Sequence, residues 1–120
     1  MNCIFCKIIK GEIPSYTLYE DDIVKVFLDV NPNSEGHTLI IPKEHYTDIE
    51  DIPLEVLNHI NKISKNIYKL LKNKLKPDGL SLVQNNGSAQ EVKHYHLHLI
   101  PRYINKTNNK KIEEIFNILN

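Results

Sequence analysis

Three histidines alternate in one short apolar run, His94-Tyr95-His96-Leu97-His98, followed by Leu99, Ile100 and Pro101. Side chains on a β-strand change face with every residue. A strand here sends the three imidazoles out of one face, about 7 Å apart, and turns Tyr95, Leu97 and Leu99 toward a core. Imidazole offers a neutral nucleophile, a proton donor and a metal ligand near pH 7. Lys or Thr would serve a merely solvated face, so the pattern points to nucleophilic, acid–base or metal chemistry. A second reactive set opens the chain, Cys3 and Cys6. Such a pair serves redox chemistry, metal binding or plain packing. Redox pairs usually sit between a strand and a helix, and no strand is expected before Cys3. A closed zinc site needs four ligands, so two more would have to come from elsewhere.

The elements that must position these groups are readable in the same sequence. Residues 3–10 suit a short helix, with Ile4, Phe5, Ile8 and Ile9 apolar and Gly11 as its stop. Thr17 to Glu20 and Ile23 to Asp29 read as a hairpin around Asp21-Asp22, with Val24, Val26 and Leu28 on one face. Asn31 to Gly36 is loop chemistry. His37 to Pro42 forms a third strand, with His37, Leu39 and Ile41 on one side. Leu54, Leu57, Ile60, Ile63, Ile67, Leu70 and Leu71 recur at spacings of three and four and predict a long helix. Pro53 suits its first turn, Asp51 its cap, and Pro77-Asp78-Gly79 its end. Its lysines read as a solvated polar face. Leu80 to Asn85 is a fourth strand, and the histidine run to Arg102 a fifth. Lys110 to Leu119 reads as a terminal helix with Ile112, Ile115, Phe116 and Leu119 in phase. The sum is an α+β fold: an antiparallel five-stranded sheet, one long helix and short terminal helices.

At 120 residues the expectation is one domain over 1–120. Fifteen basic and fifteen acidic side chains balance, which argues against a broad nucleic-acid surface. No stretch approaches the roughly 18 apolar residues of a membrane span. The first residues lack the apolar region of a secretion signal, so a soluble cytoplasmic protein is expected. Two cysteines within six residues cannot supply a disulfide framework.

Four ordered segments carry a resemblance. They are Cys3-Ile4-Phe5-Cys6-Lys7-Ile8-Ile9 with Gly11-Glu12-Ile13-Pro14; Phe27-Leu28-Asp29-Val30-Asn31-Pro32; Gly36-His37-Thr38-Leu39-Ile40-Ile41-Pro42-Lys43-Glu44-His45; and Asn85-Asn86-Gly87 running into Gln90 and the three histidines. Together they resemble the histidine triad (HIT) family, and the opening segment favours its Hint branch of nucleoside phosphoramidases over the Fhit branch. The resemblance implies a purine-nucleotide site, taking AMP or GMP conjugates, with attack at the α-phosphorus. It makes His96 the nucleophile, its tautomer fixed by the His94 carbonyl, with a nucleotidyl-histidine that water then hydrolyses. It gives His98 a hydrogen bond to the phosphate or leaving group, and His37 a part in ordering the cluster. Asp29 would accept from the ribose hydroxyls. Ile4, Phe5, Ile8 and Phe27 would sandwich the base. Asn85 and Gln90 would contact the phosphate or bridging atoms.

Some relatives with this CxxC pair hold structural zinc, which implies Cys3, Cys6, His45 and His94 as its ligands. The resemblance also implies a homodimer and no organic cofactor. Two departures stand out. The run Asn85-Asn86-Gly87-Ser88-Ala89-Gln90 is two residues shorter than the family's, with Ala89 in place of a glycine, which makes a positive φ harder there. Glu91 replaces a hydroxyl residue and would have to point away from an anion. Other readings are a dinucleoside polyphosphate hydrolase, a metallohydrolase whose three histidines hold a catalytic zinc, and a nucleotide-binding module with little catalysis.

Overall fold

The computed structural model describes residues 3–106 and 109–120. Cys3 caps the first helix, α1 (Ile4–Ile9), by accepting the Cys6 N–H on its sulfur. A hairpin follows, β1 (Thr17–Glu20) and β2 (Val24–Leu28). Its turn is closed by Asp21, whose Oδ1 accepts the N–H groups of Ile23 and Val24. The remaining elements are β3 (Thr38–Pro42), α2 (Leu54–Leu75), β4 (Gly79–Gln84), β5 (Leu97–Arg102) and α3 (Ile112–Leu119). The five strands form one sheet in the order β1-β2-β3-β5-β4, every pair antiparallel.

Both faces of the sheet are covered, which is why all five residues of β3 are buried. On one face Val24, Val26, Leu28, Ile40, Tyr95, Leu97 and Leu99 meet Ile60, Ile63, Ile67, Leu71 and Leu75 of α2 and Ile115 and Leu119 of α3. On the other face Phe27, Leu39 and Ile41 meet Cys3, Phe5 and Ile8. The period-two alternation decides which residues go where. Gly36 permits the close approach of the β2–β3 loop to α2. Its φ is +89°, and a Cβ there would lie 2.5 Å from Leu75 Cδ1.

Three expectations need correction. The histidine run is not all strand: β5 begins at Leu97, and the Tyr95 N–H donates to the Tyr46 carbonyl outside the ladder. The alternation of faces nevertheless persists upstream of β5, because Tyr95 packs with Leu97 and Leu99 while His94 and His96 lie against Phe5. Asp51 does not cap α2. Its carboxylate accepts the N–H groups of Thr47 and Asp48, and Pro53 stands at the helix cap without a side-chain bond. Leu54 keeps the apolar spacing but is 70% exposed. At the other end Lys76 adopts φ 52°, and Pro77 prevents the helix from continuing. No helix among the described residues is long and apolar enough to cross a membrane.

Candidate functional site

The sheet face that meets α1, with the segment leading into β5, carries two adjoining groups of histidines. In the first, His94 is fully buried and its Nε2–H donates to the Pro42 carbonyl at 2.9 Å. In the neutral ring Nδ1 is then a bare acceptor. That nitrogen lies 3.1 Å from His45 Nδ1, 3.5 Å from Cys3 Sγ and 3.6 Å from Cys6 Sγ. Cys6 Sγ is 3.3 Å from His45 Nδ1. All four donor atoms lie within 4.8 Å of one another. Four such atoms around zinc, at bonds of about 2.0–2.3 Å, would be separated by roughly 3.3–3.8 Å. Burial, with the His45 and His96 charges behind it, pushes His94 down to about 4, so at neutral pH a second proton is not what holds this nitrogen among the others. The residues fit a tetrahedral, thiolate-preferring cation.

In the second group His96 is 5% exposed, and its Nδ1–H donates to the His94 carbonyl at 2.8 Å. Its Nε2 therefore carries the lone pair in the neutral ring. Phe5 presents its edge to this ring at a centroid distance of 5.1 Å, and the His98 ring stands 4.8 Å away. The Asn33 N–H donates to His37 Nδ1 at 3.0 Å. His37 must then carry its proton on Nε2, which donates to His98 Nδ1 at 2.9 Å. His98 keeps its own proton on Nε2. Burial, followed by the charges of His96 and His37, pushes His98 down to about 4, and burial also lowers His37. The outcome is a bare nitrogen on His96 beside a neutral ring that bears an N–H, which suits attack by one ring and proton donation by the other. The three alternating histidines do not converge on one ion, because each directs its ring nitrogens to different partners.

Asp29 follows β2 with its two oxygens divided. Oδ1 accepts the Asn31 N–H, as a turn residue does, and Oδ2 stands 3.6 Å from His37 Nε2. Phe5, Ile8 and Phe27 are brought together, the two phenyl rings edge to face at 5.8 Å, whereas Ile4 is 48% exposed. Asn85 follows β4, half-buried. Gln90 is buried and donates its amide to the Thr47 carbonyl, so its donor end holds a loop. The short loop closes as a 3₁₀ turn over Gly87–Ala89. The positive φ falls on Gly87 at +59°, and Ala89 needs none. Glu91 is exposed. Two cavities flank the site without reaching His96. One of about 90 Å³ lies behind Asp29 and His37 against Lys110 and Ile112, and one of about 260 Å³ lies beside Pro42 and Lys43.

The groups that sequence reasoning missed are backbone ones, the Asn33 amide and the carbonyls of Pro42 and Thr47. Any residue type can supply them, so no motif marks them.

Fold and site define an α+β protein whose sheet face carries a proton-ordered histidine pair next to a Cys₂His₂ cluster. A model of the HIT domain matches residues 10–105. An uncharacterised HIT-like protein of Methanocaldococcus jannaschii is 47% identical over 118 residues, spanning 97% of this chain and 91% of that one. The adenosine 5'-monophosphoramidase HNT1 of Saccharomyces cerevisiae is 49% identical over 102 residues, 83% of this chain and 62% of that protein. A zinc-bound histidine triad family protein from Mycobacterium smegmatis superposes with a TM-score of 0.89 at 34% identity, covering 99% of this chain and 91% of its own. The chain belongs to the HIT family.

Proposed function

We propose that this protein is a nucleotide hydrolase of the nucleoside phosphoramidase type, acting at the α-phosphorus of purine nucleotide conjugates. The observation that carries the reading is the 2.8 Å bond from His96 Nδ1–H to the His94 carbonyl, which leaves Nε2 free to attack. The likeness to a yeast adenosine 5'-monophosphoramidase supports the substrate class. His96 Nε2 attacks phosphorus, the amine departs, and a nucleotidyl-histidine remains for water to hydrolyse. His98, held by His37 with its proton on Nε2, donates to a phosphoryl oxygen or to the leaving nitrogen. Asp29 Oδ2 accepts from a ribose hydroxyl while Oδ1 keeps its turn bond. Phe5, Ile8 and Phe27, with the exposed Ile4, offer apolar surface to the base. Asn85 contacts the phosphate, and Gln90 holds the neighbouring loop through Thr47.

Cys3, Cys6, His45 and His94 would hold zinc. The ion would join three separate chain segments and take no part in the reaction. The residues from 1 to 120 would act as one unit, and β4, an edge of the sheet among the described residues, offers a place for a second copy in a homodimer. The test is turnover of a fluorogenic adenosine phosphoramidate by the wild type and by His96→Ala. His96→Ala should stay folded and lose at least about 10³-fold in kcat/KM. Tight nucleotide binding without turnover by the wild type would favour a binding module instead.

A further inference from the structure

Cys3, Cys6 and His45 touch none of the reacting atoms in the scheme above, yet they hold the groups that hold His96. Their cluster draws together three segments: α1 through Cys3 and Cys6, the turn after β3 through His45, and the approach to β5 through His94. His96 is confined by three neighbours, the His94 carbonyl at 2.8 Å, the Phe5 edge at 5.1 Å and the His98 ring at 4.8 Å. The first two belong to segments that the cluster joins. Phe5 sits between the two cysteines on α1 and also touches the His94 ring, at 5.9 Å. Without a cation, a His45 Nδ1–H donated to His94 Nδ1 at 3.1 Å and weak thiol hydrogen bonds are what would join these segments. One ion bound by all four would tie them far more firmly.

We propose that Cys3, Cys6 and His45 are positioning residues for the nucleophile: by gripping His94 and α1 around one metal ion, they keep the His94 carbonyl on His96 Nδ1–H and the Phe5 edge against its ring. Two bonds remain when the grip is released, His94 Nε2–H to Pro42 and the Tyr95 N–H to Tyr46. The effect is therefore graded. Groups that orient a functional imidazole from behind are commonly worth about 10–100-fold, and the lower end is expected here.

The experiment compares zinc-loaded protein with protein stripped by a chelator, each checked for fold by circular dichroism. It reads the His96 tautomer by ¹⁵N NMR and the single-turnover rate of nucleotidyl transfer. With zinc, His96 should be wholly the Nδ1–H form. Without it, the Nε2–H form should appear and the single-turnover rate should fall about tenfold, with a smaller change in KM. A lowered melting temperature with an unchanged tautomer and rate would overturn the proposal and leave the cluster a mere staple. If stripping unfolds the chain, cadmium replaces zinc. The larger ion should shift the His96 ¹⁵N signals and the rate, and identical spectra and rates would again overturn it. The rate rests on the phosphoramidase reading, whereas the tautomer does not. A metal-dependent tautomer without turnover on any phosphoramidate would sink that reading and leave this one standing.

Discussion

Two groups of convergent donors share one face of the sheet, and their chemistry differs. Cys3, Cys6, His45 and His94 form one, and Asp29, His37 and His98 the other. In each, the candidate ligand atoms lie within 4.8 Å, so donor identity and spacing alone would make both metal sites. Proton accounting separates them. His94 gives its N–H to the Pro42 carbonyl and turns its lone pair inward, toward His45 and the two thiols, where a cation can take it. His37 receives an N–H from Asn33, so the nitrogen it turns toward His98 must carry a proton. An ion there would have to displace that proton and set a ring N–H against the Asn33 N–H. A backbone carbonyl thus leaves one histidine with a lone pair to offer a metal, and a backbone amide makes the other a donor.

The sharpest way to break this comparison is to count ions. One zinc per chain is expected by elemental analysis, and its removal should lower stability by several kcal/mol in chelator-paired denaturant melts. Cys6→Ser should lose that ion. Two tightly held ions per chain would show that the Asp29 cluster is a metal site after all.

Next in size is His37→Phe, which keeps a ring and removes both hydrogen bonds. His98 is then free to choose its tautomer. The expected cost is about 10–100-fold in kcat with zinc content unchanged, and an unaltered kcat would mean that the His37–His98 bond only packs the loop.

Acid should act on the proton-ordered pair. His98 titrates near 6.5 in the unfolded chain and near 4 when folded, and His37 is lowered in the same direction. The unfolded state therefore binds more protons as pH falls. The stabilisation is complete above about pH 6.5 and is lost progressively toward pH 4, at about 1–2 kcal/mol for the part-exposed His98. His98→Gln should make the fall in melting temperature between pH 6.5 and 4 shallower, with His37 and, in metal-free protein, His94 accounting for the remainder. A slope as steep as wild type would contradict the assignment.

The smallest effect contrasts two positions on one helical stripe. Leu54→Ala should change stability by less than about 0.5 kcal/mol, because the side chain is 70% exposed. Ile60→Ala, fully buried, should cost about 2–5 kcal/mol. Equal losses would mean that Leu54 is covered in solution.

These contrasts mark what was legible beforehand. The five strands, the long helix and the division of Val24, Val26 and Leu28 from Phe27 followed from period-two and period-3.6 patterning, which burial enforces directly. The start of β5 and the cap of α2 did not, since Tyr95 and Asp51 make bonds to a distant carbonyl and to neighbouring amides that their side-chain types do not announce. The four candidate donors Cys3, Cys6, His45 and His94 were nameable from the resemblance, and the structure brings them together. The difficulty expected from Ala89 in place of a glycine does not arise, because the loop's positive φ falls on Gly87. The part of the His94 carbonyl in setting the His96 tautomer was expected from the resemblance. The tautomers of His94 and His37 were out of reach, since Pro42 and Asn33 set them through backbone atoms.

The central claim is that Nε2 of His96 attacks phosphorus. The direct measurement is an acid- or heat-quenched single turnover of an adenosine phosphoramidate, followed by peptide mass analysis under conditions that preserve phosphorus–nitrogen bonds. An adenylyl group on Nε2 of His96, absent in His96→Ala, is the predicted result. Turnover with the adduct on His98 or another residue, or with no adduct formed at any time point, would contradict it.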